Sequence, residues 1–342
     1  SLADAAARAG ASFEAAEGAD SVPALAAGDC SLVVATDSTL AAAVSDAARS
    51  TGDKRFALVG SAFTDSKGNP EKPSNGTVIN VQASQGSYLA GYAAAGMTTT
   101  GTVAVVGGAR DLVTLSQMDA FVQGVDAYNL ATGTSIQVLG WSPVMQEGAF
   151  ASDADGVRGF TETFIAQGAD IVMPVADAAN SGAAQAIAAR DNPALRLVWT
   201  GLDKSDLKGI SREDAESGED GQLPMSGQSG AQAQRVDTSS FADAFSSIQL
   251  DDEARAAIGA PVLTSVVVDY SGAFDALIAS AAGGATAPMQ YVSLISGGVI
   301  LTGFGSYTPM LSTELKLGLS DMAGQIETGG LAVTTQYDVV GL

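Results

Sequence analysis

Short valine-, leucine- and alanine-rich strands alternate with helices along most of this 342-residue chain, an order that predicts an α/β protein with parallel sheets covered on both faces. Two further observations support it. Gly86-Ser-Tyr-Leu-Ala-Gly91-Tyr reads as a small-residue-rich helix that runs through a short linker into Thr100-Gly-Thr-Val-Ala-Val-Val-Gly-Gly108, a buried strand ending in a glycine turn. Such units build ligand clefts, because strand C-termini and the helix N-termini that follow aim backbone N–H groups into a crevice. The αβ pattern then restarts after Gly108, which predicts two similar lobes.

In chain order, Ser1 to Gly10 reads as the tail of a helix, so the chain is expected to be the ordered part of a longer mature protein. Leu32–Ala35 reads as a strand, Leu40–Arg49 as a helix, and Phe56–Val59 and Val78–Val81 as strands. Helix Ser84–Met97 and strand Val103–Val106 follow. Helix Ser116–Asn129 carries Met118, Phe121, Val122 and Val125 at helical spacing, and strand Ser135–Leu139 succeeds it. Helix Gly156–Gln167 is closed by Gly168 as a C-terminal cap. Strands Ile171–Val175 and Leu195–Thr200 bracket helix Ser181–Arg190. From about 204 to 260 an acidic, polar texture predicts an insertion, helical only at Ser240–Ile248. The pattern returns with strand Val262–Ser265, a helix from Asp269 to Ser280 and a strand region Tyr291–Leu301, before a polar C-terminal stretch.

Composition excludes much chemistry. The chain has no histidine and one cysteine, Cys30, which rules out histidine-based triads, papain-like dyads, zinc ribbons and disulfides. Cys30 precedes a strand and reads as a core thiol. With 38 acidic against 16 basic residues, the formal charge of -22 repels nucleic acid and anionic headgroups. No apolar run reaches the roughly 18–20 residues of a membrane span. No phosphate-cradling loop, nucleophile elbow, calcium loop or metal-ligand cluster is present, so no cofactor or metal is expected.

Phe150, after a strand and before a helix, is placed either to project into a cleft and stack on a flat ligand or to tuck under its loop, and the first is favoured. Asp203 follows the apolar strand ending at Leu202, at the edge where open sheets bind ligands, and suits vicinal hydroxyls; the alternative is a turn aspartate. Thr36, Asp37 and Ser38 end the first strand and open a helix, as ligand contacts, as N-caps or as both. Asn180 carries the same ambiguity, and Trp141 is core, rim or cleft.

The ordered set Gln85-Gly-Ser-Tyr-Leu-Ala-Gly91-Tyr, Gly101 to Gly108, Phe121-Val-Gln-Gly124, Phe150-Ala-Ser-Asp153, Gln167-Gly-Ala-Asp-Ile-Val172, Gly201-Leu-Asp203 and Val262-Leu-Thr-Ser265 resembles the basic membrane protein family of substrate-binding lipoproteins. That group includes purine-nucleoside receptors of ABC transporters. The resemblance covers roughly residues 30 to 340. It implies a type I periplasmic-binding-protein fold of two αβα lobes, with 1–101 plus about 263–288 in lobe 1 and 102–262 plus about 289–342 in lobe 2. It also implies a monomeric, extracytoplasmic receptor, lipid-anchored upstream of Ser1, that captures a nucleoside and passes it to an ABC permease. In this resemblance Phe150 matches the base-stacking aromatic, Asp203 the ribose-binding aspartate, and Asn180-Ser-Gly182 a glycine-rich cleft loop. The family's first strand, with its ligand loop, is absent from the numbered chain. Val268 stands where the family usually has lysine, and Ala120 where glycine is common. A same-fold receptor for a flavin, a sugar or a signalling molecule, a sensor domain, and an enzyme using Asp37 and Asp203 on a sugar-like substrate are the alternatives.

Overall fold

The computed structural model describes residues 1–202, 206–208, 248–284 and 287–338. Two parallel sheets organise it. The first holds β1 (Leu32–Ala35), β2 (Arg55–Val59), β3 (Gly76–Val81) and β13 (Met289–Val292) in that order, all parallel. The second runs β14 (Val299–Leu301), β12 (Val262–Val268), β9 (Arg196–Leu202), β8 (Ile171–Val175), β4 (Thr102–Gly107) and β5 (Gln137–Leu139), parallel except for β14. Strands covered on both faces carry unbroken apolar runs. Val103, Ala104, Val105 and Val106 have no exposed surface, which is why the sequence reading located this strand. Four short strands lie outside the two sheets: β6 (Trp141–Ser142) pairs with β7 (Glu147–Gly148), and β10 (Leu207–Lys208) with β11 (Gln249–Leu250).

Helices α1 (Leu2–Arg8), α2 (Ser21–Ala27) and α3 (Ala41–Ser50) precede or flank the first sheet, and α3 turns Val44, Ala47 and Ala48 onto Phe56 and Leu58. Cys30 is half-buried against the same cluster. Helix α4 (Ala83–Met97) is buried on nearly all sides and packs along α5 (Leu112–Thr132). The Asp111 carboxylate caps α5 by accepting from the Thr114 N–H at 2.8 Å, and Gly133, with φ 71°, ends it in the left-handed region. Helix α6 (Ala154–Ala166) starts on Asp153 and is followed by Gly168 at φ 103°, and α7 (Asn180–Ala188) lies against it.

The chain crosses between lobes at Gln82, at Asp269–Tyr270 and between β13 and β14. The crossovers are tied together: the Gln82 N–H donates to the Val292 carbonyl and the Asp269 N–H to the Gly298 carbonyl, both at 2.8 Å. The Gln85 side chain also accepts from the Leu294 N–H at 2.8 Å.

This pairing differs from the expected lobe boundaries at three points. Helix α4 follows the first crossover and packs on α5, β12 and β14 of the second lobe, whereas residues up to 101 were expected in the first. Strand β12 pairs with β9 in the second sheet, and only the helix Ser271–Ala281 returns to the first lobe, beside α1 and β13. The apolar region Tyr291–Leu301 is two strands in different sheets, because Ser296-Gly297-Gly298 turns the chain, Gly297 at φ 70°. The C-terminal stretch contains a helix, Thr313–Glu327, that buries Leu315, Leu319, Ala323 and Ile326. Of the expected insertion, helix Asp252–Ile258 and strands β10 and β11 are described. The expected helix Ser240–Ile248 lies outside the described residues apart from its last residue.

Candidate functional site

The C-terminal edge of the second sheet gathers the chemistry. Strands β4 and β8 end side by side: the Gly108 N–H donates to the Val175 carbonyl at 2.8 Å, and a Cβ on Gly108 would stand 2.7 Å from Ala176 Cα. Only glycine allows that approach. On the other side of β4, Phe150 forms a parallel bridge with Gly107, whose N–H donates to Ala149 and whose carbonyl accepts from Ala151, each at 2.9 Å. The half-buried Phe150 ring is thereby fixed at the sheet edge. The buried Trp141 meets it edge-on at 6.1 Å, and the exposed Arg110 guanidinium covers it at 5.3 Å. Trp141 is held in turn by its indole N–H, which donates to the Asp119 carboxylate at 3.1 Å; the same carboxylate accepts from Gln123 at 3.1 Å.

Further along this edge, Asp177 follows β8 with φ 49°, a left-handed conformation that costs a non-glycine residue on the order of 1–3 kcal/mol. It stands near Gly201 at the end of β9, where a Cβ would lie 3.9 Å from Asp177 Oδ1. Burial, with a smaller contribution from the Asp177 charge, pushes the Tyr270 phenol up to about 12. Tyr270 sits on the second crossover and stacks on Phe274 at 5.6 Å. Asp177 at the strand ends thus lies within electrostatic reach of Tyr270 on the crossover. Neither was among the expected site residues, although Asp177 follows an apolar strand by the same rule that selected Asp203.

The expected residues divide into four groups. Phe150 stands at the edge as described. Asn180 is 1% exposed, and its amide holds the scaffold: Oδ1 accepts from the Ala176 N–H at 2.7 Å, and Nδ2 donates to the Thr200 carbonyl and hydroxyl, both at 3.1 Å. It fixes the ends of β8 and β9 and presents no unused polar atom. Thr36, Asp37 and Ser38 are exposed at the end of β1 in the other lobe, where Asp37 caps a 3-10 turn. Its carboxylate accepts from the Thr39 N–H at 2.8 Å and hydroxyl at 2.7 Å, bonds that hold it below the usual carboxylate range. Asp203 lies outside the described residues, one position beyond β9.

The lobes touch beside these edges. A Cβ on Gly60, which follows β2 with φ 67°, would stand 2.6 Å from a Val113 methyl on α5. Next to this contact is a cavity of about 220 Å³, walled by Val81 and Tyr291 of the first lobe, Val113 and Ser116 of α5, and Tyr337 near the C-terminus. None of the expected site residues lines it. It adjoins the Phe150 neighbourhood through Trp141, whose ring meets Tyr337 at 6.0 Å. Among the described residues no group of acidic or cysteine side chains is arranged to hold a metal, and no helix is long and apolar enough to cross a membrane.

Comparison with known proteins gives this geometry a context. An ABC transporter solute-binding protein from Conexibacter woesei superposes with a TM-score of 0.58 at 15% identity, covering 98% of this chain and 92% of that one. A solute-binding protein of an ABC transporter system from Aeropyrum pernix gives 0.62 at 15% identity, over 96% and 86%. A transcriptional activator of the comK gene from Bacillus halodurans gives 0.62 at 13%, over 96% and 92%. At such identities the likeness is one of fold, which serves transport and regulation alike. A search of curated protein sequences gave no match. A sequence profile described as ABC transporter substrate-binding protein PnrA-like matches residues 7–208, more than half of the chain. On that match, the chain belongs to the Bmp family of PnrA-like ABC transporter substrate-binding proteins.

Proposed function

We propose that this chain is an extracytoplasmic, lipid-anchored receptor that captures a nucleoside between its lobes and delivers it, unchanged, to an ABC permease. The observation that carries the reading is the Phe150 ring, held at the strand edge by the bridge to Gly107 and supported edge-on by Trp141. A flat side chain fixed before the ligand arrives offers a stacking face at little ordering cost. A base stacked there takes the place of the Arg110 guanidinium, whose bond to the Gln146 carbonyl at 2.6 Å keeps it exposed. Asp203, one residue beyond β9, receives the ribose hydroxyls. The charge of -22 favours a neutral nucleoside over a nucleotide, whose phosphates it repels.

Closure about the three tied crossovers then buries the ligand, so affinity depends on hinge position as well as on contacts. Calorimetry with adenosine, guanosine, inosine and uridine on the parent protein, Phe150→Ala and Asp203→Ala tests the reading. Loss of the aromatic face should weaken binding by about 1–3 kcal/mol. Equal affinities in all three proteins would remove both assigned roles, and turnover of any nucleoside would favour an enzyme.

A further inference from the structure

We propose that the face of Phe150 is a cation site and that, among flat ribosides, this receptor selects one whose ring carries a positive charge. The inference rests on the reading that Phe150 stacks the ligand, and it adds the charge of that ligand.

The ring already carries a planar cation. The Arg110 guanidinium lies 5.3 Å from the Phe150 centroid, and its one hydrogen bond among the described residues is to the Gln146 carbonyl at 2.6 Å. Gln146 holds that carbonyl from the left-handed region, at φ 54°, and its side chain donates to Gln336 at 3.1 Å. Trp141 meets Phe150 and Tyr337 edge-on at 6.1 and 6.0 Å, so three aromatic rings gather beside one guanidinium. Burial raises the Tyr337 phenol, the Asp119 charge raises it further and the Arg110 charge lowers it, which puts both charges within reach of the cluster. Aromatic faces are electron-rich and attract cations.

Two carboxylates give the cluster a negative field. Asp119 is 6% exposed and lies behind Trp141, accepting from the indole N–H and from Gln123, each at 3.1 Å. Asp177 stands at the end of β8, next to β4, with φ 49° and no hydrogen-bond partner among the described residues. Its strained backbone persists because Asn180 pins the strand ends around it, accepting from the Ala176 N–H at 2.7 Å. Neither carboxylate forms an ion pair with a described lysine or arginine, so Arg110 pairs with neither of them. Glu147 on β7 is exposed and adds to the same sign.

Exchange of Arg110 for the ligand decides the selectivity. A neutral ring that takes the guanidinium's place leaves the Phe150 face beside two carboxylates with no cation, whereas a charged ring replaces one cation by another. A unit charge about 10 Å from a carboxylate, at an effective dielectric constant of about 20, shifts an equilibrium constant by roughly tenfold or more. Flatness matters as well, since a guanidinium stacks on a ring as a compact ammonium does not.

The test is calorimetry of the purified chain with nicotinamide riboside, whose pyridinium ring is permanently cationic, against its uncharged dihydro form. A second pair is 1-methyladenosine, cationic at neutral pH, against adenosine; choline is the compact cation. Variants are Asp119→Asn, Asp177→Asn and Phe150→Ala. The ratio of affinities within each pair is the readout, because a general loss of binding or of fold cancels in it. At about 0.1 M salt the cationic member should bind about tenfold or more tightly, and the ratio should shrink at about 1 M, where the screening length falls from about 10 Å to about 3 Å. Each Asp→Asn variant should lower the ratio about threefold or more, by removing one of the two charges. Asparagine tolerates the left-handed backbone at 177, so that variant decides the matter if Asp119→Asn does not fold. Equal affinities within both pairs, a ratio that neither variant lowers, or choline bound more tightly than both cationic ribosides would each overturn the proposal. Equal affinities combined with loss of binding in Phe150→Ala would leave the stacking reading standing without it, and riboside binding that Phe150→Ala leaves intact would overturn both.

Discussion

Gly107 and Phe150 share one parallel bridge, and a Cβ on Gly107 would stand 2.7 Å from both the Phe150 ring and the Met118 sulfur. The glycine is therefore what lets the ring lie against the end of β4. Gly107→Ala should force the ring outward or the methionine inward, at an overpacking cost of about 1–3 kcal/mol. Urea unfolding should register that loss. Nucleoside affinity should fall by about tenfold or more, since stacking on a fixed ring contributes about 1–3 kcal/mol. Unchanged affinity alongside a clear loss of stability would show that the position of Phe150 does not matter to the ligand.

Helices α4 and α5 meet backbone to backbone, and two glycines make that possible. A Cβ on Gly91 would collide with the Phe121 carbonyl, and one on Gly124 with the Tyr88 carbonyl. Backbone cannot swing aside as a side chain can, so Gly91→Ala and Gly124→Ala should each destabilise by at least about 3 kcal/mol, the upper end of overpacking costs. Gly159 on α6 and Gly324 on the C-terminal helix meet nothing within 4 Å. Alanine at those helical positions should instead stabilise by about 0.5–1 kcal/mol. Thermal or urea melts of the four variants would decide the matter, and equal effects would refute the close crossing.

The buried Trp141 supports Phe150 on one side and Tyr337 on the other, and its indole N–H has the Asp119 carboxylate as partner. Asp119→Ala leaves that donor without its acceptor in a buried place, which should cost about 1–3 kcal/mol. Asp119→Asn keeps an acceptor oxygen and should be milder. Because Trp141 braces the ring proposed to stack on the base, Asp119→Ala should also weaken nucleoside binding. An Asp119→Ala protein as stable as the parent would show that the indole bond contributes nothing net.

The two sheets could be read from the sequence because strands buried on both faces leave unbroken apolar runs, as Val103 to Val106 do. The lobe boundary was not legible. Helix α4 is buried on nearly every side, so its pattern names no preferred face, and its packing on α5, β12 and β14 is what assigns it to the second lobe. The strand region Tyr291–Leu301 looked continuous in hydrophobicity, yet Gly297-Gly298 had marked the turn that splits it. The place of Phe150 at the sheet edge could be read from its position after a strand, and Asp177 follows an apolar strand in the same way. Asn180 was ambiguous because its partner Thr200 lies 20 residues away in sequence and meets it only when β8 and β9 pair. Nothing local in Val333 to Asp338 shows that this segment will lie on Trp141.

Tyr270 gives the hinge a pH signature. Its folded phenol titrates at about 12 against the ordinary value of 10.0, because burial and then the Asp177 charge disfavour the phenolate. Below pH 10 both folded and unfolded chains keep the proton, and the contribution to stability is complete. Between about 10 and 12 the unfolded chain ionises while the folded one does not, so the unfolded state binds fewer protons and stability falls as pH rises through that window. Tyr270→Phe removes the titrating group and should flatten that part of the curve, leaving the contributions of the other tyrosines. Asp177→Asn removes only the smaller cause and should reduce the slope less. Urea unfolding at pH 9, 10 and 11 would measure both, and a Tyr270→Phe curve parallel to the parent's would show that this phenol is not the group held protonated at the hinge.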